Sequence, residues 1–202
     1  MITTYVGLAA GQQDRSEVEH LLALAVDLLD GVDLLDGVVL ACTHVVEGAW
    51  AASVETTASV GGSLELWALL QEQGAPDVAV CVRSRSAAPR VDVAGPVSLR
   101  HVAVQASLEL AERLAGRAVL FQGQERLTGE IATDDVPSLS AIGAVEGIAG
   151  TPTVGTRLVT RDFVRPVLRA GALVLQVRPF GEEGTVAPFE VPDPTPCCAA
   201  HG

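Results

Sequence analysis

The chain has 202 residues, 49% of them hydrophobic but only 3% aromatic, and it carries a formal net charge of −12. That length and apolar content suffice for a sizeable aliphatic core without disulfides or structural metals, while so few rings argue against platforms that stack bases or flavins. The acidic balance argues against direct nucleic-acid binding, which needs a basic face to neutralise phosphates.

Arginine is the only fixed cation, and it is scattered. Arg83, Arg85 and Arg90 form the nearest thing to a cluster, and Arg157, Arg161, Arg165, Arg169 and Arg178 a looser one. Mean hydropathy is +0.36, yet the apolar runs are short. Leu21 to Leu29 contains Asp27 and ends at Asp30-Gly31, and Val38 to Cys42 passes into Thr43-His44. Neither approaches the roughly 20 residues of a membrane span, so no membrane association is expected. The opening Met1-Ile2-Thr3-Thr4-Tyr5 lacks the basic region of a signal peptide, which makes the cytoplasm the default address. Cys42 and Cys81 lie in apolar runs and read as buried, inert thiols, and no disulfide framework is expected.

In chain order, Tyr5 to Ala10 is a short apolar stretch ended by Gly11. Asp14-Arg15-Ser16-Glu17 is a capping-box-like start. Val18, Leu21, Leu22, Ala25, Leu28 and Leu29 then recur at helical spacing, which predicts a helix from Arg15 to Asp30 stopped by Gly31. The echo Leu28-Leu29-Asp30-Gly31-Val32 and Leu34-Leu35-Asp36-Gly37-Val38 is too short for a solenoid. Val38 to Val46 and Ala49 to Thr57 read as a hairpin about Glu47-Gly48. A second helix is predicted with Ser63 as cap, Leu66, Trp67, Leu69 and Leu70 as apolar content, and Gly74 as stop. Val78 to Val82 and Arg90 to Ala94 read as strands. Ser98 is the expected cap of a third helix carrying Leu99, Val102, Ala106, Leu110 and Leu114, stopped at Gly116.

Beyond it, Ala118 to Phe121 and Leu127 to Ile131 suggest a hairpin around Gly123. Pro137 to Gly150 reads as a short helix through Leu139, Ile142, Val145 and Ile148, weakened by Gly143 and Gly147. Leu158 to Thr160, Phe163 to Leu168 and Ala172 to Val177 read as terminal strands, and the proline-rich tail after Pro188 as irregular. Hairpins among helices predict an α+β fold, a central antiparallel sheet with helices packed on it.

Several stretches together resemble the GAF domains of actinobacterial type. They are Val6-Gly7-Leu8-Ala9, the helix through Leu21 to Leu29, the strand Gly37 to Ala41, Ser53 to Ser59, Glu65 to Gly74, and Pro76 to Ser84 with Pro89 to Val93. The resemblance covers roughly the first half of the chain. It implies a GAF-like small-molecule sensing or dimerisation fold, with roles in signal transduction and transcription regulation and with homodimers as an oligomeric form. Gly74-Ala75-Pro76 stands where that family has a Gly-x-Gly-Pro-Cys turn, and nothing after Gly150 resembles the helical antiterminator module of many relatives.

Cys197-Cys198-Ala199-Ala200-His201 is the one constellation with ligand chemistry. Cys197, Cys198 and His201 offer two soft sulfurs and an imidazole to zinc, copper or nickel, one ligand short of a tetrahedral site. The run Asp193 to His201 is also similar to the tail of nickel-iron hydrogenase large subunits, with Thr195 where a ligand cysteine belongs. Cys42 and His44 share one side of a strand. Such a pair can serve as a nucleophile, but with no orienting acid visible His44 reads as a satisfied core histidine. His20 and His101 read as surface helix residues. Asp134-Asp135 and Glu182-Glu183 read as solvated turns, with Asp135 as a helix cap. No phosphate-cradling glycine spacing is present.

The sequence therefore predicts a GAF-like region over 1–150, strands over 151–187 that complete or extend the sheet, and a disordered tail over 188–202. The expected function is a non-catalytic sensory or regulatory domain that binds a small-molecule ligand or a protein partner, with no cofactor identified. The alternative is a metal-handling or metalloenzyme-maturation accessory protein using the C-terminal thiols, and the third reading an enzyme with an unadvertised site.

Overall fold

The computed structural model describes residues 3–11, 14–30, 37–57, 60–85 and 89–192. The chain divides into two units, Met1–Gln122 with Leu168–Gly171, and Gly123–Val167 with Ala172–Gly202. No helix among the described residues is long and apolar enough to cross a membrane.

The first unit runs β1 (Thr3–Ala9), α1 (Arg15–Asp30), β2 (Val38–Val46), β3 (Ala49–Thr56), α2 (Ser63–Glu72), β4 (Ala79–Arg85), β5 (Arg90–Ala94), α3 (Val97–Ala111) and β6 (Arg117–Phe121). Its strands lie in the order β5-β4-β1-β3-β2-β6, and each pair is antiparallel. The β2–β3 hairpin turns at Glu47 (φ 51°) and Gly48 (φ 84°), the paired positive φ that a two-residue type I′ turn requires. β1 sits inside the sheet because its alternate residues are apolar on both faces: Val6 and Leu8 point one way, Tyr5 and Ala9 the other, and all are buried.

Helices cover both faces. On one, α1 and α2 bury Val18, Leu21, Leu22, Ala25, Leu29, Leu66 and Leu70 against Val6, Leu8, Ala52, Val54, Val80 and Val82. The helix predicted over Arg15–Asp30 is observed with those bounds. Asp14 caps it, its Oδ1 accepting from Glu17 N–H (3.0 Å) and Ser16 Oγ (2.7 Å).

On the other face lies α3, with Ala103, Ala106, Ser107, Leu110 and Ala111 buried. This differs from the expected stripe, since Leu114 lies past the helix end and is 61% exposed. The reason is close approach. Gly7 of β1 lies under α3, and a Cβ there would come 2.0 Å from Ala103 O, so the contacting turns must be small. Ser63 and Ser98 are not caps. Gly62 and Pro96 hold those positions without side-chain cap bonds, and the Ser63 N–H of α2 instead donates to Asp92 Oδ2 of β5 at 2.9 Å.

The second unit contains β7 (Glu130–Ala132), α4 (Val136–Leu139), β8 (Ile142–Gly147), β9 (Arg157–Val159), β11 (Ala172–Pro179) and β12 (Thr185–Pro188). The short β10 (Val167–Arg169) falls at the division, and Leu168 N–H donates to Gly116 O within the first unit (2.7 Å). β11 and β12 are antiparallel, but β8 runs parallel to β11, β9 parallel to β12, and β7 antiparallel to β9. Ile142, Leu158, Leu175, Val177 and Val186 are buried.

Three expectations fail here, the first being the strand expected over Phe163 to Leu168, of which only Val167 and Leu168 lie in a strand. β6 pairs with β2, and β7 with β9, so they form no hairpin about Gly123. The helix expected over Pro137 to Gly150 is a single turn followed by strand β8. Its apolar positions recur every third residue, but Gly143 and Gly147 remove helix propensity, and a Cβ at Gly147 would meet Thr151 O at 1.8 Å. The α+β class holds, with an antiparallel sheet in the first unit and mixed pairing in the second.

Candidate functional site

Two features of the first unit bear on chemistry. The first lies beneath α3. His44 in β2 and Ser53 in β3 face the same side of the sheet, and Glu109 reaches down from α3. The Nδ1 of His44 lies 2.9 Å from Glu109 Oε2, and its Nε2 lies 2.6 Å from Ser53 Oγ. Gln105 Nε2 donates to the other oxygen of Glu109 (3.3 Å). The Glu109 carboxyl is held below the usual glutamate range, chiefly by its hydrogen bond with His44, against an opposing push from burial. An ionised Glu109 carboxylate can only accept, so Nδ1 of His44 is the donor in that bond.

These are the residue types and contacts of a serine–histidine–acid triad, but the arrangement is inverted. In a hydrolytic centre the nucleophile faces a cleft and the acid is buried. Here Ser53 is fully buried and the His44 side chain fully enclosed, while Glu109 is the member nearest solvent, its side chain 15% exposed. Ser53 also pairs with Gly7 on one side and Cys42 on the other. Strand pairing on both sides leaves no backbone donors beside it for an oxyanion.

Cys42, whose Sγ and the His44 ring both crowd Gly116, has its thiol pushed up to about 12 by burial. It is no thiolate nucleophile. Burial likewise raises Cys81, whose Sγ lies 3.3 Å from Ser107 Oγ. Glu55 and Arg113 form an ion pair across the same face. His44 is thus a satisfied core histidine, as expected. The orienting acid absent from the sequence reading is Glu109, 65 residues away, and no local motif announces it.

The second feature is a surface groove of about 420 Å³ between the end of β1, the first turns of α1 and the α2–β4 connection. Leu21, Leu24, Ala10, Ala75 and Pro76 give it an apolar wall; Glu17, His20 and Asp77 supply its ionisable groups. Among the described residues no arginine lines it. Gly74 (φ 90°) turns the chain out of α2 at its rim, a conformation that favours glycine.

His20 and His101 are exposed, as expected, and His101 lies 3.5 Å from Glu47. Asp134 and Asp135 are exposed. Asp134 Oδ2 accepts from Gly155 N–H (3.1 Å), while Asp135 occupies the N-cap position of α4 without a side-chain cap bond. Glu182 and Glu183 lie on an exposed turn. Cys197, Cys198 and His201 lie outside the described residues. Among the described residues no cluster of three or more His, Cys, Asp or Glu is arranged to hold a metal ion. No protein-family model, curated protein or solved structure matches this chain.

Proposed function

We propose that the first unit is a non-catalytic, GAF-like ligand-binding domain of sensory or regulatory type, and that its ligand is a small molecule with an apolar body and a cationic head. The groove over Leu21 and Leu24 carries this reading. Its volume falls in the range of small-molecule sites, and an apolar wall with a few convergent ionisable groups is the usual composition of such sites. Its fixed charges, Glu17 and Asp77, are both negative. At the N-terminus of α1 nearby, the Asp14 carboxylate accepts from Glu17 N–H and places a negative charge there, which disfavours an anion. The GAF-like part of the proposal is supported by an antiparallel sheet with α1 and α2 packed on one face of it in the segments that carry the resemblance. The sealed state of Ser53 supports the non-catalytic part.

The test is a calorimetric comparison of benzylammonium with benzoate, two probes of similar shape and opposite charge. Benzylammonium should bind saturably and benzoate should not. Leu24→Trp, which fills the groove, and Asp77→Asn, which removes one charge, should each weaken binding. Equal affinity for both probes, or binding indifferent to both substitutions, refutes the assignment.

A further inference from the structure

β5 ends the strand order of its unit, with β4 on one side and no described strand on the other. Its backbone orientation follows from one bond: Arg90 N–H donates to Ser84 Oγ on β4 (3.2 Å). The amide edges of Arg90 and Asp92 therefore face β4. Val91 between them turns its N–H and C=O to the open side.

Side chains alternate as well. Arg90 and Asp92, opposite Ser84 and Val82, stand on the face of α2, where Asp92 holds the Ser63 N–H. Val91, opposite Arg83, stands on the other face and is 50% exposed. Leu64 in the first turn of α2 is 66% exposed and Val97 at the start of α3 is 79% exposed, so apolar side chains reach solvent from both neighbouring helices.

Edge strands are commonly blunted by charge or proline. This one has no proline and carries one exposed charge of each sign, two residues apart about a valine. An antiparallel pair of two copies centred on Val91 sets Val91 against its own counterpart as the hydrogen-bonded pair. Arg90 of each copy then faces Asp92 of the other as the non-hydrogen-bonded pair, in which side chains lie closer. Centring on Asp92 instead sets carboxylate against carboxylate, and centring on Arg90 sets guanidinium against guanidinium. Only the register centred on Val91 brings Arg90 and Asp92 of opposite copies together.

We propose that β5 is a self-association edge, on which a second copy of this chain pairs antiparallel about Val91 with two Arg90–Asp92 contacts across the two-fold axis. A strand of five residues makes a contact at the small end of interface sizes, below the about 1,200 Å² of standard complexes, so association is weak and concentration-dependent.

Sedimentation equilibrium of the full chain tests this. The wild type should show a monomer–dimer equilibrium that salt weakens. Arg90→Asp sets acid against acid and should weaken it by about tenfold or more. An equimolar mixture of Arg90→Asp and Asp92→Arg chains should recover a heterodimer, because each charge again meets its opposite. Asp92 also caps α2, so Val91→Pro provides a second route. It deletes an outward N–H while leaving the ladder to β4 intact, and it should abolish the dimer with circular dichroism unchanged. A wild type that stays monomeric, or a dimer indifferent to both Arg90→Asp and Val91→Pro, overturns the proposal. So does a dimer that Val91→Pro abolishes but Arg90→Asp leaves intact, since charge would then not set the register.

Discussion

Replacing Ser53 by alanine separates a structural relay from a catalytic one. The substitution removes one oxygen from a fully buried position and leaves Nε2 of His44 with no partner in a closed space. A buried polar atom left unsatisfied costs about 1–3 kcal/mol. With a urea m-value of about 2 kcal/mol/M, a loss of about 2 kcal/mol lowers the unfolding midpoint by about 1 M. Glu109→Gln should cost less, since glutamine still presents an acceptor to Nδ1 and the position borders solvent. Tryptophan fluorescence is a clean reporter because the chain's two tryptophans, Trp50 and Trp67, both belong to the first unit. Were Ser53 a catalytic nucleophile held in place at the expense of stability, its replacement would leave the midpoint unchanged or raise it. A midpoint for Ser53→Ala at or above that of the wild type refutes the structural reading.

Leu22, 1% exposed in the core beneath α1, should cost about 2–5 kcal/mol when cut to alanine, read by the same urea titration. Acid should weaken the first unit partly through Glu109. Its folded pKa is depressed, so its contribution is present above the unfolded pKa and is lost as pH falls through the folded one. Urea midpoints from about pH 6 to about pH 3 should therefore fall less steeply for Glu109→Gln than for the wild type. Cys42 and Cys81, buried and with raised thiol pKa, should resist iodoacetamide under native conditions and react once the chain is unfolded, as followed by mass spectrometry; rapid native labelling of Cys42 would contradict its burial.

The elements legible in the sequence are those whose own periodicity dictates them. The stripe from Val18 to Leu29 needs a helix, and Val38 to Val46 with Ala49 onward about Glu47-Gly48 needs a hairpin; both stand within a residue of expectation. What was not legible depends on contacts between distant residues. The buried face of α3 is set by Gly7, about a hundred residues earlier in the chain, and the cap of α2 comes from Asp92 rather than from Ser63. β8 reads as a helix in the sequence because the three-residue spacing of Leu139, Ile142, Val145 and Ile148 imitates one, and β11 supplies the strand partner that decides otherwise. The candidate site was legible only in part. Cys42 and His44 do share a face, yet Ser53 and Glu109 join them through sheet register and helix placement. The groove likewise joins residues of α1 to the α2–β4 connection, which no single motif records.

The most direct test of the proposed function is a map of backbone amide shifts in the ¹⁵N-labelled chain as benzylammonium is added. The account predicts saturable shifts at Gly11, His20, Leu24, Gly74 and Asp77, with Ser53 and His44 unmoved. Shifts centred on Ser53, His44 and Glu109, or no saturable shift at the groove, would contradict it.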